Sequence, residues 1–160
     1  MLENQEIRGK PLVLLAAALV ALPAPAHAAD WRLTAARHTR FGPSLAFLDL
    51  RSIRGGDGRV QFTTLTFYGR QTRRMNRVAA AVVADCRSMT YRFQHIILYR
   101  NQQPLSQWHS ATVVLAAPRS NVYDTISAAC GASDAGMHVE RVESFAAGYF
   151  QRRSKRTFAS

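Results

Sequence analysis

Four arginines crowd one short stretch, Arg70, Arg73, Arg74 and Arg77, and a second basic group, Arg152, Arg153, Lys155 and Arg156, lies near the C-terminus. A guanidinium presents a planar fork of donors that matches carboxylate, sulfate and phosphate groups, so the chemistry both clusters offer is anion recognition. The first cluster is the better placed, because a tight turn projects its side chains from one edge of a sheet and focuses their potential. Solvated charge that keeps a sheet edge from pairing with other chains is the competing role, and it accounts for the C-terminal group better than ligand binding does. Arg70, Arg73, Arg74 and Arg77 are therefore the anion-binding candidates.

Catalysis and metal binding find less support. His38, His95, His109 and His138 are scattered without close ligand spacing, and neither a metal nor another cofactor is expected. His95 falls on the aromatic side of an alternating segment, where a hydrogen-bonded, half-buried histidine is the ordinary outcome. Trp108-His109 reads as loop, and packing explains that pair better than sugar stacking. No Gly-x-Ser-x-Gly, Ser-x-x-Lys, His-Glu-x-x-His or phosphate loop is present. Asp49 and Asp85, the acidic residues most embedded in strand-like segments, are expected to serve salt bridges or turns. A hydrolase built from His95 or His109 with either carboxylate is the least favoured reading, and a non-enzyme is expected.

The N-terminus says where this chemistry operates. Arg8 and Lys10 precede an apolar run from Leu12 to Leu22, a Pro23-Ala24-Pro25 break and Ala26-His27-Ala28, the layout of a secretory signal peptide cleaved after Ala28. The run is about half the roughly 20 residues a bilayer-spanning helix needs, so no membrane span is expected after cleavage. No cysteine follows it to carry a lipid anchor. Cleavage leaves 132 residues, one domain's worth, of which 29–150 form the domain and 151–160 a basic tail. It removes Glu3, Glu6, Arg8 and Lys10, so the net charge stays at +11, carried almost wholly by arginine because Lys155 is the one mature lysine. An exported basic chain meets envelope polymers, head groups and proteins, whereas nucleic acid inside the cell is out of its reach. Its partner is expected to be an anionic polymer or protein. Cys86 and Cys130, an even pair in an oxidising compartment, read as a disulfide, while zinc needs more ligands and redox chemistry a Cys-x-x-Cys.

These residues need elements to hold them. Alternation marks strands over Trp31–His38, Ser44–Ile53, Arg59–Gly69 and Ser88–Tyr99, with Gly55-Gly56-Asp57-Gly58 as a hairpin turn. Val78–Cys86 is rich in alanine, yet Val82-Val83 and its flanking strands make it strand as well. Ser110–Leu115 reads as a last strand closed by Pro118. Ser120 or Asn121 can cap a helix over Val122, Ile126 and Cys130 that ends at Gly131, with Asp124 near its positive end. Ser144–Arg153 can form a short second helix with Phe145, Tyr149 and Arg152 on one side. The expected class is α+β, mainly β: an antiparallel sheet of about six strands with a C-terminal helix packed on it and tied by a disulfide.

The order of Trp31 opening a strand, Leu48-Asp49-Leu50 before Ser52-Ile53-Arg54, a glycine turn, a Val60–Tyr68 strand, then Asp85-Cys86 and a helical Cys130 resembles the surface-adhesin E family of small exported bacterial proteins. The resemblance spans Trp31 to Cys130. It implies an antiparallel sheet with its helix tied by Cys86 and Cys130, a possible homodimer, and adhesin roles for the best-known members, while the export signal sets the expected place as the periplasm or cell surface. Two departures bear on host adhesion. Phe62 or Leu65 stands where such sequences carry a Trp, and the exposed lysines of matrix-binding members are missing.

Overall fold

The computed structural model describes residues 28–40, 42–69 and 75–157. Residues 1–27 of the expected leader, 1–28, lie outside them. Eight strands and two helices follow in the order β1 (Trp31–Thr39), β2 (Gly42–Gly56), β3 (Arg59–Tyr68), β4 (Arg77–Asp85), β5 (Thr90–Arg100), β6 (Gln103–Trp108), β7 (Val114–Leu115), α1 (Asn121–Ala129), β8 (Met137–His138) and α2 (Val142–Thr157). They form one antiparallel sheet in the order β6-β5-β4-β3-β2-β1-β8, with β7 pairing β5 beyond the end of β6. The sheet is mainly a meander, because each strand from β1 to β6 pairs with the next in sequence.

β2 is the strand on which the fold is built. Leu45, Ala46, Phe47 and Leu48 are all buried, and neighbours along a strand point to opposite faces, so both faces must be covered. They are. Leu48 joins Phe62, Ala80 and Val82 beneath Ile126, Ala128 and Ala129 of α1. Leu45 and Phe47 join Val139, Val142 and Ala146 on the side of α2. Edge-to-face contacts of Phe47 with Phe67 and Phe145, at 5.7 and 6.1 Å between ring centres, fix α2 over β2 and β3. The expected arrangement of a helix on a sheet is thus one half of a helix–sheet–helix sandwich.

α1 begins where its capping chemistry dictates: the Ser120 hydroxyl accepts the Tyr123 N–H at 3.1 Å, and Asp124 sits in the first turn. Cys130 is its C-cap and Gly131 turns left-handed at φ +71°. The Cys86–Cys130 disulfide, with Cα atoms 5.7 Å apart, ties that end to the turn just after β4.

Four features of the strands differ from the expectations. β6 is an added strand: Asn101 and Gln102, at φ +47° and +72°, make the two-residue turn that usually calls for Asn-Gly, and every residue of β6 is exposed, so no alternation marks it. Pro104 is tolerated because this is the sheet edge. β7 is only the last two residues of the expected Ser110–Leu115 strand, and β8, a two-residue strand against β1, carries too short a signal to read. A bulge in β5 changes its faces, for Val82 pairs with Phe93 while Ala81 pairs with His95, leaving Gln94 extra. Tyr91 and Phe93 therefore share the α1 side with Leu98, and His95 turns to the opposite face.

Candidate functional site

Of the four candidate arginines, Arg70, Arg73 and Arg74 lie outside the described residues and Arg77 opens β4. Register places Arg77 between Phe67 on β3 and Tyr99 on β5, on the face that carries α2. Its guanidinium carbon lies 4.0 Å from the centre of the Tyr99 ring, close enough for a cation–π contact. Its Nη1 donates to Glu143 Oε1 at 3.1 Å, so α2 reaches across to pair with the sheet. The Arg77 side chain is 15% exposed and that of Glu143 50%. Nε of Arg77 is buried without an acceptor among the described residues, an uncommon condition for a charged donor.

Arg77 lines an open cleft of about 220 Å³ between the ends of β3 and β4, the β5–β6 turn and α2. Asn76 and Asn101 form one wall and hold each other: Asn76 Oδ1 accepts the Asn101 N–H at 3.2 Å and Asn76 Nδ2 donates to Asn101 Oδ1 at 3.3 Å. The opposite wall depends on Gly69, where a Cβ would meet the Phe150 ring at 2.6 Å and Pro43 at 2.8 Å; lacking one, the chain lets α2 close down on the strand end. Tyr68 borders the same cleft, and burial pushes its phenol up, so it stays protonated near neutral pH. The chemistry on offer is a fixed guanidinium with hydrogen-bonding capacity to spare beside an apolar wall.

The C-terminal basic group is helical, since α2 runs to Thr157. Arg152 and Arg153 are exposed on it, and Arg153 Nη1 donates to the Tyr149 hydroxyl at 3.0 Å.

The bulge brings His95 and His109 together, with ring centres 5.0 Å apart and planes 16° from parallel. His109 Nδ1 donates to the Gln94 carbonyl at 2.5 Å. Neither carboxylate proposed as a partner is theirs. Asp85 Oδ1 accepts the backbone N–H groups of Arg87 and Ser88 and the Ser88 hydroxyl, and the bonds from Ser88 lead in holding its carboxyl below the usual range. Asp49 Oδ1 accepts the N–H groups of Asp30 and Arg51. Both carboxylates serve turns and strand ends. His138 Nδ1 donates to Asp30 at 2.8 Å, and no group of three metal-ligating side chains exists among the described residues.

Glu143, Asn76 and Asn101 of the cleft, and Tyr99 against Arg77, had no individual sequence signal. Register counted from the β4–β5 turn would set Leu98 opposite Arg77; the bulge at Gln94 is what brings Tyr99 there. No family model, no curated protein and no solved structure matches the chain. Its functional reading rests on its own residues.

Proposed function

We propose that this protein is a non-enzymatic, exported binding protein of the bacterial envelope or surface, adhesin E-like, that recognises an anionic polymer or protein through Arg70, Arg73, Arg74 and Arg77. The observation that carries the reading is Arg77, a guanidinium seated on Tyr99 with Nε lacking an acceptor among the described residues, at the start of β4, which the other three arginines precede in sequence. A charge of +11 adds long-range attraction for polyanions, and the disulfide suits an oxidising compartment. No helix among the described residues is long and apolar enough to cross a membrane. The test is retention on a sulfated or phosphorylated matrix at low ionic strength, where changing the four arginines to serine is expected to bring elution to markedly lower salt. Unaltered retention overturns the reading. Protease access on intact against osmotically shocked cells assigns the protein to surface or periplasm.

The free sheet edge favours a second reading. Leu105, Trp108, Val113, Val114 and Leu115 on β6, β7 and their connection are five of the six exposed large apolar residues among those described, and no charged residue lies between Arg100 and Arg119. Such an edge suits a periplasmic structural or assembly-partner protein that pairs with another chain by strand addition. A pull-down yielding one stoichiometric envelope protein, lost on Leu105→Lys with Leu115→Lys, supports it; sedimentation as a dimer that the same changes dissolve makes the partner a second copy.

A further inference from the structure

The Arg77 cleft is built for something smaller than a polymer. Its volume, about 220 Å³, lies below the ~300–1,000 Å³ of sites for drug-sized ligands, so its occupant is a fragment-sized group. One wall is apolar, made by Phe67 of β3 and Ala146, Ala147 and Phe150 of α2. The other carries, among the described residues, one guanidinium, already matched to the carboxylate of Glu143. Glu143 is half exposed and bonds only Nη1, so its hold on Arg77 is weak and leaves donors unused. A free carboxylate is not tethered to a helix and can approach the guanidinium in the two-bond geometry that Glu143 does not reach.

We propose that this cleft binds a monocarboxylate with an aromatic or short aliphatic body, the carboxylate displacing Glu143 from Arg77 and the body lying against Phe67 and Phe150. The inference rests on the reading of this strand end as an anion site and names the class of ligand it takes. Glu143 acts as an internal competitor: it pairs with Nη1 of Arg77 in the free protein and swings out when the ligand arrives. It also disfavours dianions, because its own negative charge stays close to the site. Tyr99 keeps the guanidinium flat in both states, which limits the ordering cost of binding.

The test is titration of the full mature chain with phenylacetate, followed by amide chemical shifts of Asn76, Arg77 and Asn101 and by tyrosine fluorescence. A dissociation constant of order 0.1–1 mM is expected, as ligand efficiency allows for so few atoms. Benzyl alcohol, the same ring without the carboxylate, is expected not to bind. Glu143→Gln removes the competitor and is expected to tighten phenylacetate about threefold to tenfold, while Arg77→Gln abolishes binding. Should Arg77→Gln fail to fold, Glu143→Gln decides, since its half-exposed side chain is not needed by the core. Absence of saturable binding, equal binding of benzyl alcohol, or weaker binding by Glu143→Gln overturns the inference. Retention of the wild-type chain on a polyanion reads the broader proposal separately, so either can fail without the other.

Discussion

Replacing Cys86 and Cys130 together by alanine removes the covalent link between the turn after β4 and the end of α1. The two positions are 44 residues apart, and releasing a loop of that length from the unfolded chain costs about 4 kcal/mol of stability at 25 °C in the chain-entropy model. The native side of the balance should change little, because α1 keeps its Ser120 cap and its contacts through Ile126, Ala128 and Ala129. Urea unfolding followed by far-UV circular dichroism reads the effect. With a slope of about 1.5–2 kcal/mol per molar urea, the midpoint should fall by roughly 2–3 M at unchanged native signal. Wild-type protein unfolded in reductant should match the double variant. A fall of less than about 0.5 M would refute the reasoning, for α1 would then be held by packing alone.

Phe47→Ala should cost about 3–5 kcal/mol in the same assay, since Phe47 is fully buried under α2 and leaves a cavity beside Phe67 and Phe145. Gly69→Ala should loosen α2, because its Cβ would need Phe150 or Pro43 to shift; faster amide exchange along α2, with α1 unchanged, checks this. The Asp30 carboxyl lies below its usual range, held there first by its bond from Arg32 and then by that from His138. With the folded value below the unfolded one near 3.8, the stabilisation is present at neutral pH and lost as pH falls through the folded value. The stability gap between wild type and Asp30→Asn should therefore hold near neutrality and narrow below about pH 4.

What the sequence displayed and what it hid follow from how far each signal reaches. Period-2 patterns over Trp31–His38, Arg59–Gly69 and Ser88–Tyr99 predicted β1, β3 and β5 because residues two apart share a face. Ser120 and Gly131 bracketed α1 because capping is local chemistry, and the cysteine pair needed only the expected compartment and its even count. β6 stayed hidden because an edge strand with no buried face has no reason to alternate. The bulge at Gln94 was equally silent: one extra residue reverses the face of His95 with no mark in composition. Arg77 was visible as a candidate, but Tyr99 comes to it through the bulged β4–β5 register and Glu143 through the packing of α2, neither of which the sequence marks.

The most direct measurement of anion recognition by the arginine cluster is the affinity of the mature protein for a sulfated oligosaccharide as a function of salt. Binding through released counterions makes the logarithm of affinity fall linearly with the logarithm of salt concentration, with a slope set by the number of charges engaged. The account predicts a steep slope for the wild type that becomes distinctly shallower, with weaker binding throughout, when Arg70, Arg73, Arg74 and Arg77 are changed to serine. The same slope and affinity in both proteins would contradict it, and would leave the charge as a solvated surface and the sheet edge as the better claim to function.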